Sequence, residues 1–276
     1  MSLIRNLPYT HPYRWDGREF GGPQLWRPSN LGANLSLWLD AEDSASITLN
    51  GSTVSQWNDK SGNARHVSQA TAARQPTYTA NGLNGKPVLT FNAANPSVMS
   101  IPAGQLGGAT GASLFWVQQN VNDPAAADIN SGCFIASDFG TQIGASNHAP
   151  YTDGNVYFQA FNTARLNTGN PTPSLALPRI IGAESTNSLF NFLIDGTVHF
   201  TTSTNTYANP SASKNIGTGS SSLNLNFLGT AAELVVVSSI LSTTDRQRVE
   251  GYLAWKWGLE ANLPAGHPFK NTPPTS

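Results

Sequence analysis

The chain has 276 residues, enough for one large β domain or two small ones. Only 11% of them are charged, 15 basic against 16 acidic for a net charge of −1, and no Lys/Arg block occurs, which argues against a nucleic-acid-binding face. Seven Trp, twelve Phe and 39% apolar residues argue against disorder, and a lone cysteine, Cys133, excludes an internal disulfide or a Cys-rich zinc site.

Residues 1–30 carry four Pro, three Gly and five aromatics without a strand or helix period. Proline fixes φ and removes donors, so this segment is expected to be an extended arm. Its aromatics, Tyr9, Tyr13, Trp15, Phe20 and Trp26, are candidate anchors on a neighbouring subunit or on the arm's own domain. The start MSLIRNLPYTHPYRW has no apolar run of signal-peptide length, so export by the general secretory route is not expected.

From residue 31 onward the pattern is that of short strands. LSLWLD (35–40) alternates Leu35, Leu37 and Leu39 with Ser36, Trp38 and Asp40. Further strands are expected over 52–59, 85–92, 113–120, 132–137, 155–161, 178–185, 223–229 and 232–239. In 155–161, Val156 and Phe158 alternate with Tyr157 and Gln159. Residues 187–202 read as a hairpin, because Asp195-Gly196 between two β-prone runs suits a type I′ turn. Cys133 lies among apolar residues and is expected to be buried.

One helix is predicted over 242–258. Ser242 is its N-cap with Asp245 in position to answer it, and Val249, Leu253 and Trp257 share a face. Arg246 and Glu250 can pair on another face, and Gly258 can close the last turn. A Pro-rich tail follows. Strands with Asn/Gly/Ser/Pro turns and no βαβ rhythm predict an all-β antiparallel sandwich. The expected domains are thus an arm over 1–30 and a β-sandwich over 31–276 that includes the helix.

Three blocks carry a family resemblance: LSLWLDAEDSASITLNGSTVSQWNDKSGNARH, QPTYTANGLNGKPVLTFN and AELVVVSSILSTTDRQRVEGYLAWKWGLEANLPAGHP. Together they resemble the LamG-like, concanavalin A-like lectin/glucanase domains of bacteria and their phages, over roughly residues 31–270. The resemblance implies an antiparallel jelly-roll sandwich. It does not select a function, since such folds host lectins, glycosidases, adhesive modules and structural domains.

The stretch WNDKSGNARH (57–66) is the first candidate site. Asp59, Gly62 and Asn63 are turn-forming types, and Trp57 is expected in the core. The functional alternative, drawn from calcium-holding relatives, makes Asp59 a Ca²⁺ ligand. The loop SDFGTQIGASNHAPYTDGN (137–155) is the second candidate. Phe139, Asn147, His148, Tyr151 and Asp153 supply the aromatic and amide types that bind sugars by stacking and hydrogen bonding. No metal-ligand pairing of the five histidines, no nucleotide fingerprint and no serine-hydrolase elbow is present. The Glu-x-Asp-x-x-Glu pattern of retaining glucanases is missing too, and DAED (40–43) is the only tight acidic cluster.

The expected function is therefore a non-enzymatic structural protein of a phage virion, on the particle surface, without a cofactor. Its partners would be other virion proteins held through the arm, in a homo-oligomer such as a trimer, with no membrane insertion. The alternative is a carbohydrate-binding adhesion module for a cell-surface glycan, and a glycoside hydrolase is the distant third.

Overall fold

In the computed structural model of the protein, residues 24–92, 96–123, 131–136, 146–209, 213–220 and 225–276 are described. The candidate residues Tyr9, Tyr13, Trp15, Phe20 and Phe139 lie outside them. In chain order the strands are β1 (Leu35–Asp40), β2 (Ile47–Asn50), β3 (Thr53–Trp57), β4 (Val67–Ser68), β5 (Thr77–Leu83), β6 (Lys86–Phe91), β7 (Met99–Ile101) and β8 (Gly111–Asn120). They continue with β9 (Val156–Phe158), β10 (Leu166–Gly169), β11 (Arg179–Thr186), β12 (Leu189–Ile194), β13 (Thr197–Thr202), β14 (Lys214–Ile216) and β15 (Gly229–Val237), before the helix α1 (Thr243–Trp257).

Hydrogen bonding links the strands in the order β13-β12-β11-β8-β15-β6-β5-β3-β4-β7-β14, with β1 beside β15, β2 beside β3, and β9–β10 as a separate pair. The path folds over on itself. Leu114 and Trp116 of β8 and Leu234 and Val236 of β15 share one buried cluster with Val54 and Trp57 of β3 and Met99 and Ile101 of β7. Two layers facing across a common core make the antiparallel jelly-roll sandwich expected from the strand pattern.

A second apolar layer covers the other face of the β8/β15/β1 sheet. Trp38, Phe115, Val117, Val235 and Val237 pack there against Val249, Leu253 and Trp257 of α1. Strands covered on both faces lose their polar face. All six residues of β1 are accordingly buried, where the alternation of LSLWLD suggests one solvated side.

The helix ends follow the sequence. Ser242 Oγ accepts the Asp245 N–H at 3.1 Å, and Gly258 closes the last turn at φ 68°. The Arg246–Glu250 pair forms at 3.7 Å, but Glu250 is 1% exposed rather than on a solvated face. The tail covers it, with His267 Nε2 3.1 Å from the Glu250 carboxylate.

Other expectations are corrected. The described part of the 132–137 segment makes isolated bridges, Gly132 with His148 and Phe227 and Ile135 with Ile216, rather than a strand. Gly132 is wedged so closely against the Leu225 and Gly219 backbones that a Cβ would lie 2.3 Å and 2.6 Å from them. The strands expected at 223–229 and 232–239 reduce to the single β15, where Gly229–Ala231 pair with β6 and Glu233–Val237 with β1 along the same edge. Asp195 (φ 50°) and Gly196 (φ 80°) form the expected turn, and Asn84 (φ 49°) with Gly85 (φ 78°) makes a second one between β5 and β6.

The described end of the arm does not extend away. Trp26 N donates to Pro274 O and Ser276 N to Gln24 O, so the segments near both ends pair side by side. Trp26 is 3% exposed and meets Tyr252 edge-on at 6.1 Å. As an anchor it is therefore spent on its own domain, and residues 28–34 turn in 3₁₀ fashion.

One ionic cluster locks α1 to the sheet. Lys256 Nζ lies 2.6 Å from Asp40 Oδ1 and 2.8 Å from Glu233 Oε2, with all three side chains at most 5% exposed. Glu233 also accepts from Trp38 Nε1 (2.7 Å), Tyr252 Oη (2.8 Å) and Trp257 Nε1 (2.7 Å). Burial by itself would raise the Asp40 pKa, but Lys256 and Lys60 reverse this and bring it down to about 2. Burial works to lower Lys256, and the Glu233 and Asp40 charges outweigh it and raise it.

Removing one partner of a buried ion group leaves the others uncompensated. Lys256→Met should therefore cost about 3–5 kcal/mol in urea unfolding. Asp40 titrates lower in the fold than its unfolded value of 3.8. The stability it carries is full above pH 3.8 and is lost as pH falls toward 2, so its Cγ resonance should titrate with a midpoint near 2.

Candidate functional site

The WNDKSGNARH stretch folds into a corner that grips β1. Asp59 Oδ1 accepts the N–H groups of Trp38 (3.0 Å) and Ser61 (2.8 Å), while Oδ2 accepts from Arg65 N (3.0 Å) and Ser61 Oγ (2.8 Å). Asn63 Nδ2 donates to the Leu35 and Ser36 carbonyls, and Arg65 reaches the Ser36 carbonyl at 2.7 Å. Gly62 takes φ 91°, and the second left-handed residue is Ala64 at φ 55° rather than Asn63. Trp57 is fully buried.

A calcium ion at Asp59 would have to strip carboxylate oxygens that four internal donors already occupy. The donor set supports the expected turn-holding role of Asp59 over the Ca²⁺ alternative. Lys60 extends the grip, lying 4.5 Å above the Trp38 ring and pairing with Asp40 at 2.8 Å.

The second candidate splits into a structural and an exposed half. Asn147 is fully buried. Its Nδ2 donates to the Ile135 and Gln159 carbonyls and its Oδ1 accepts the Gln159 N–H, so it clamps backbone and is not a ligand contact. An amide ladder on β8 reaches the same loop: Trp116 Nε1 donates to Gln118, Gln118 to Asn120, and Asn120 Nδ2 to Ala149 O at 3.0 Å. Buried amides hydrogen-bonded in series fix the loop's position.

That frame carries an aromatic patch. The Tyr151 ring, with the residue 37% exposed, meets His148 edge-on at 4.7 Å and Tyr157 at 5.4 Å. Asp153 is exposed and accepts from Tyr157 Oη at 2.8 Å and from Asn155 N at 3.0 Å. Arg165 lies over the Tyr157 ring at 4.9 Å, and Asn167 Nδ2 donates to Tyr157 Oη at 3.2 Å. Tyr157, Arg165 and Asn167 were not among the expected site residues. The signal for Tyr157 was present, because its neighbours Val156 and Phe158 are fully buried and period two turns Tyr157 outward. Arg165 and Asn167 arrive through pairing of β10 with β9, which no local pattern encodes.

His148 is pushed down to about 4 by burial and by the Arg165 charge, so it is neutral at ordinary pH. Asp153 is lowered by the Asn155 backbone and Tyr157 hydrogen bonds, so it is ionised. The patch thus offers an exposed tyrosine ring, one carboxylate, one guanidinium and two amides.

Three buried strand carboxylates are drawn into ion pairs. Asp40 and Glu233 share Lys256, while Glu184 holds Arg246 at 3.4 Å and Asn191 at 3.1 Å. Cys133 is buried, and burial pushes its thiol up. Among the described residues, no group of three or more His, Cys, Asp or Glu converges as a metal site would require.

No family model matches the chain, and neither does any curated protein. Solved structures do. The binding domain of Paraclostridial Mosquitocidal Protein 1 superposes at TM-score 0.55 with 10% identity, over 82% of this chain and 53% of that one. Trypanosoma rangeli sialidase in complex with sialic acid gives 0.52 and 13%, over 77% and 32%. The botulinum neurotoxin serotype D binding domain gives 0.50 and 11%, over 79% and 50%. The chain spans about half or less of the length of each. Such identities bear on the fold, and they agree with the all-β jelly-roll sandwich.

Two results should follow from this geometry. Asp59→Asn replaces an acceptor oxygen with a donor in a nest of donors and should cost about 1–3 kcal/mol, while added Ca²⁺ leaves the wild-type Tm unchanged. The His148 ring should stay neutral by NMR down to about pH 4. Its unfolded value is 6.5, so the fold excludes a proton that the unfolded chain takes up. The stability contributed by neutral His148 therefore declines as pH falls from 6.5 toward 4.

Proposed function

We propose that the protein is a non-enzymatic glycan-binding β-sandwich module whose binding surface is the His148–Tyr151–Tyr157 patch. The observation that carries this reading is the exposed Tyr151 ring, T-shaped against His148 and Tyr157, with Asp153, Arg165 and Asn167 gathered around Tyr157 beside it. Sugars present an apolar C–H face flanked by hydroxyls. A tyrosine ring beside amides, one carboxylate and one guanidinium complements such a surface. The balance of charge favours neutral glycans.

The finer kinship with LamG-like domains rests on the sequence blocks named above. The sandwich shared with two domains described as binding domains is in keeping with a recognition role. The absence of hydrolysis is part of the proposal. Its support is that Asp40, Glu233 and Glu184 are engaged in ion pairs, whereas a glycosidase needs two carboxylates facing each other across a cleft, about 5–9 Å apart.

For setting we keep the virion surface, with the module displayed from a larger assembly, as a homo-oligomer attached to other virion proteins. One structural observation favours display. Trp26 and the paired end segments pack on the α1 side of the sheet, whereas Phe158 packs on Trp116 in the opposite layer and turns Tyr157 away from it. A module held near its ends on the helix side would present the patch outward.

Tyr151→Ala should weaken glycan binding at least about tenfold, about 1.4 kcal/mol, and leave the urea midpoint near the wild-type value. A glycan array followed by calorimetry on the hits reads this. No hit among neutral glycans, or equal affinity in the variant, overturns the reading.

A further inference from the structure

A cleft of about 260 Å³ lies where the β12–β13 turn meets the 172–174 loop and the segment after α1. It shares no residue with the Tyr151 patch. Its floor is Ile194 with the buried Arg179–Asp195 pair, joined at 2.9 Å. Asp195 Oδ1 also accepts the Ile180 N–H at 2.9 Å, and Arg179 Nε donates to Ser174 O, so the pair is held rigidly in place. The rim is Thr172 and Thr197, with Val198 as an apolar wall 41% exposed to solvent. Pro173, Asn262 and His199 complete the lining, and the backbone of Thr168 on β10 lies beside the His199 ring.

Three features of this cleft ask for a ligand. The floor charges cancel, which disfavours an ion of either sign. The Thr172 and Thr197 hydroxyls on the rim suit a ligand that both donates and accepts. The His199 imidazole adds a group that can exchange a hydrogen bond with a hydroxyl. Burial holds His199 below its ordinary value, so the ring is neutral at neutral pH and one of its two nitrogens accepts. The volume lies just below the range of drug-sized pockets, which suits a small ligand.

We infer that this cleft is a second binding site, for a single neutral sugar or a comparable polyol, lined by Thr172, Arg179, Asp195, Thr197, Val198 and His199. It does not depend on the Tyr151 patch. Two sites on one module would let a branched or extended glycan be held at two points, with the gain in avidity that this gives.

The test is a methyl NMR titration of the full chain with D-glucose, D-galactose, L-arabinose and glycerol as separate probes. Binding should shift the Ile194 and Val198 methyl resonances saturably for at least one probe. Thr197→Val, which removes a hydroxyl and keeps the shape, should weaken that binding about tenfold. Val198→Trp, at an exposed strand position, should fill the cleft and abolish it. Tyr151→Ala should leave it unchanged. No saturable shift with any probe, or shifts that survive Val198→Trp, would overturn the inference. Sugar binding lost in Tyr151→Ala with a silent cleft overturns it too, while sparing the patch. A responsive cleft beside a patch that binds nothing sustains the cleft and sinks the glycan-patch reading.

Discussion

The structure turns on one buried ammonium. Lys256 stands between Asp40 and Glu233 in a region closed to water, and each of the three comes from a different element: α1, β1 and β15. Burying three charges is expensive, and it is tolerable only when every charge is paired and the remaining lone pairs are filled. Here they are, since Trp38, Tyr252 and Trp257 all donate to Glu233. Apolar contact alone would let the helix slide along the sheet. An ion cluster with fixed hydrogen-bond directions specifies one register, and this is why α1 sits where it does over β15 and β1.

The corner at 57–66 acts on the same unit from the other side. Lys60 reaches Asp40, and Asp59 takes the Trp38 N–H, so the corner fixes the strand whose outer face meets the helix. With β1 held, β15 has a complete neighbour along the edge that it shares with β6. The sheet is then rigid on its helix side. The opposite face is free to carry the second β layer and, beyond it, the aromatic patch. The amides of β8 carry that rigidity through the core, from Trp116 to the Ala149 carbonyl beside His148.

Both surfaces with ligand-like chemistry are built from parts distant in sequence. The patch draws on the loop before β9 and on β10, and the cleft on the β12–β13 turn, the 172–174 loop and the segment after α1. Each rests on saturated buried polar groups. In the patch these are the Asn147 clamp and the amide ladder, and in the cleft the Arg179–Asp195 pair. Such supports leave the exposed groups little freedom, which reduces the entropy cost of binding.

The sequence by itself determined whatever depends on near neighbours. Period two and turn chemistry gave most of the strands and the Asp195-Gly196 hairpin. The cap, spacing and terminal glycine gave α1 from Ser242 to Gly258. The WNDKSGNARH corner was legible because Asp59 and Gly62 act within their own turn, whereas the grip of Asp59 and Asn63 on β1 was not. Tertiary structure decided what depends on distant partners. It made Glu233 the centre of an ion cluster, buried the Ser36–Trp38–Asp40 side of β1, and spent Trp26 on its own domain. It also made Asn147 a clamp and brought Tyr157 and Arg165 to Tyr151. The reason is common to all of these. Local patterns report a residue's own backbone geometry and its neighbours a few positions away, whereas the energy of a buried charge or an amide is set by the group opposite it, which only the folded chain supplies.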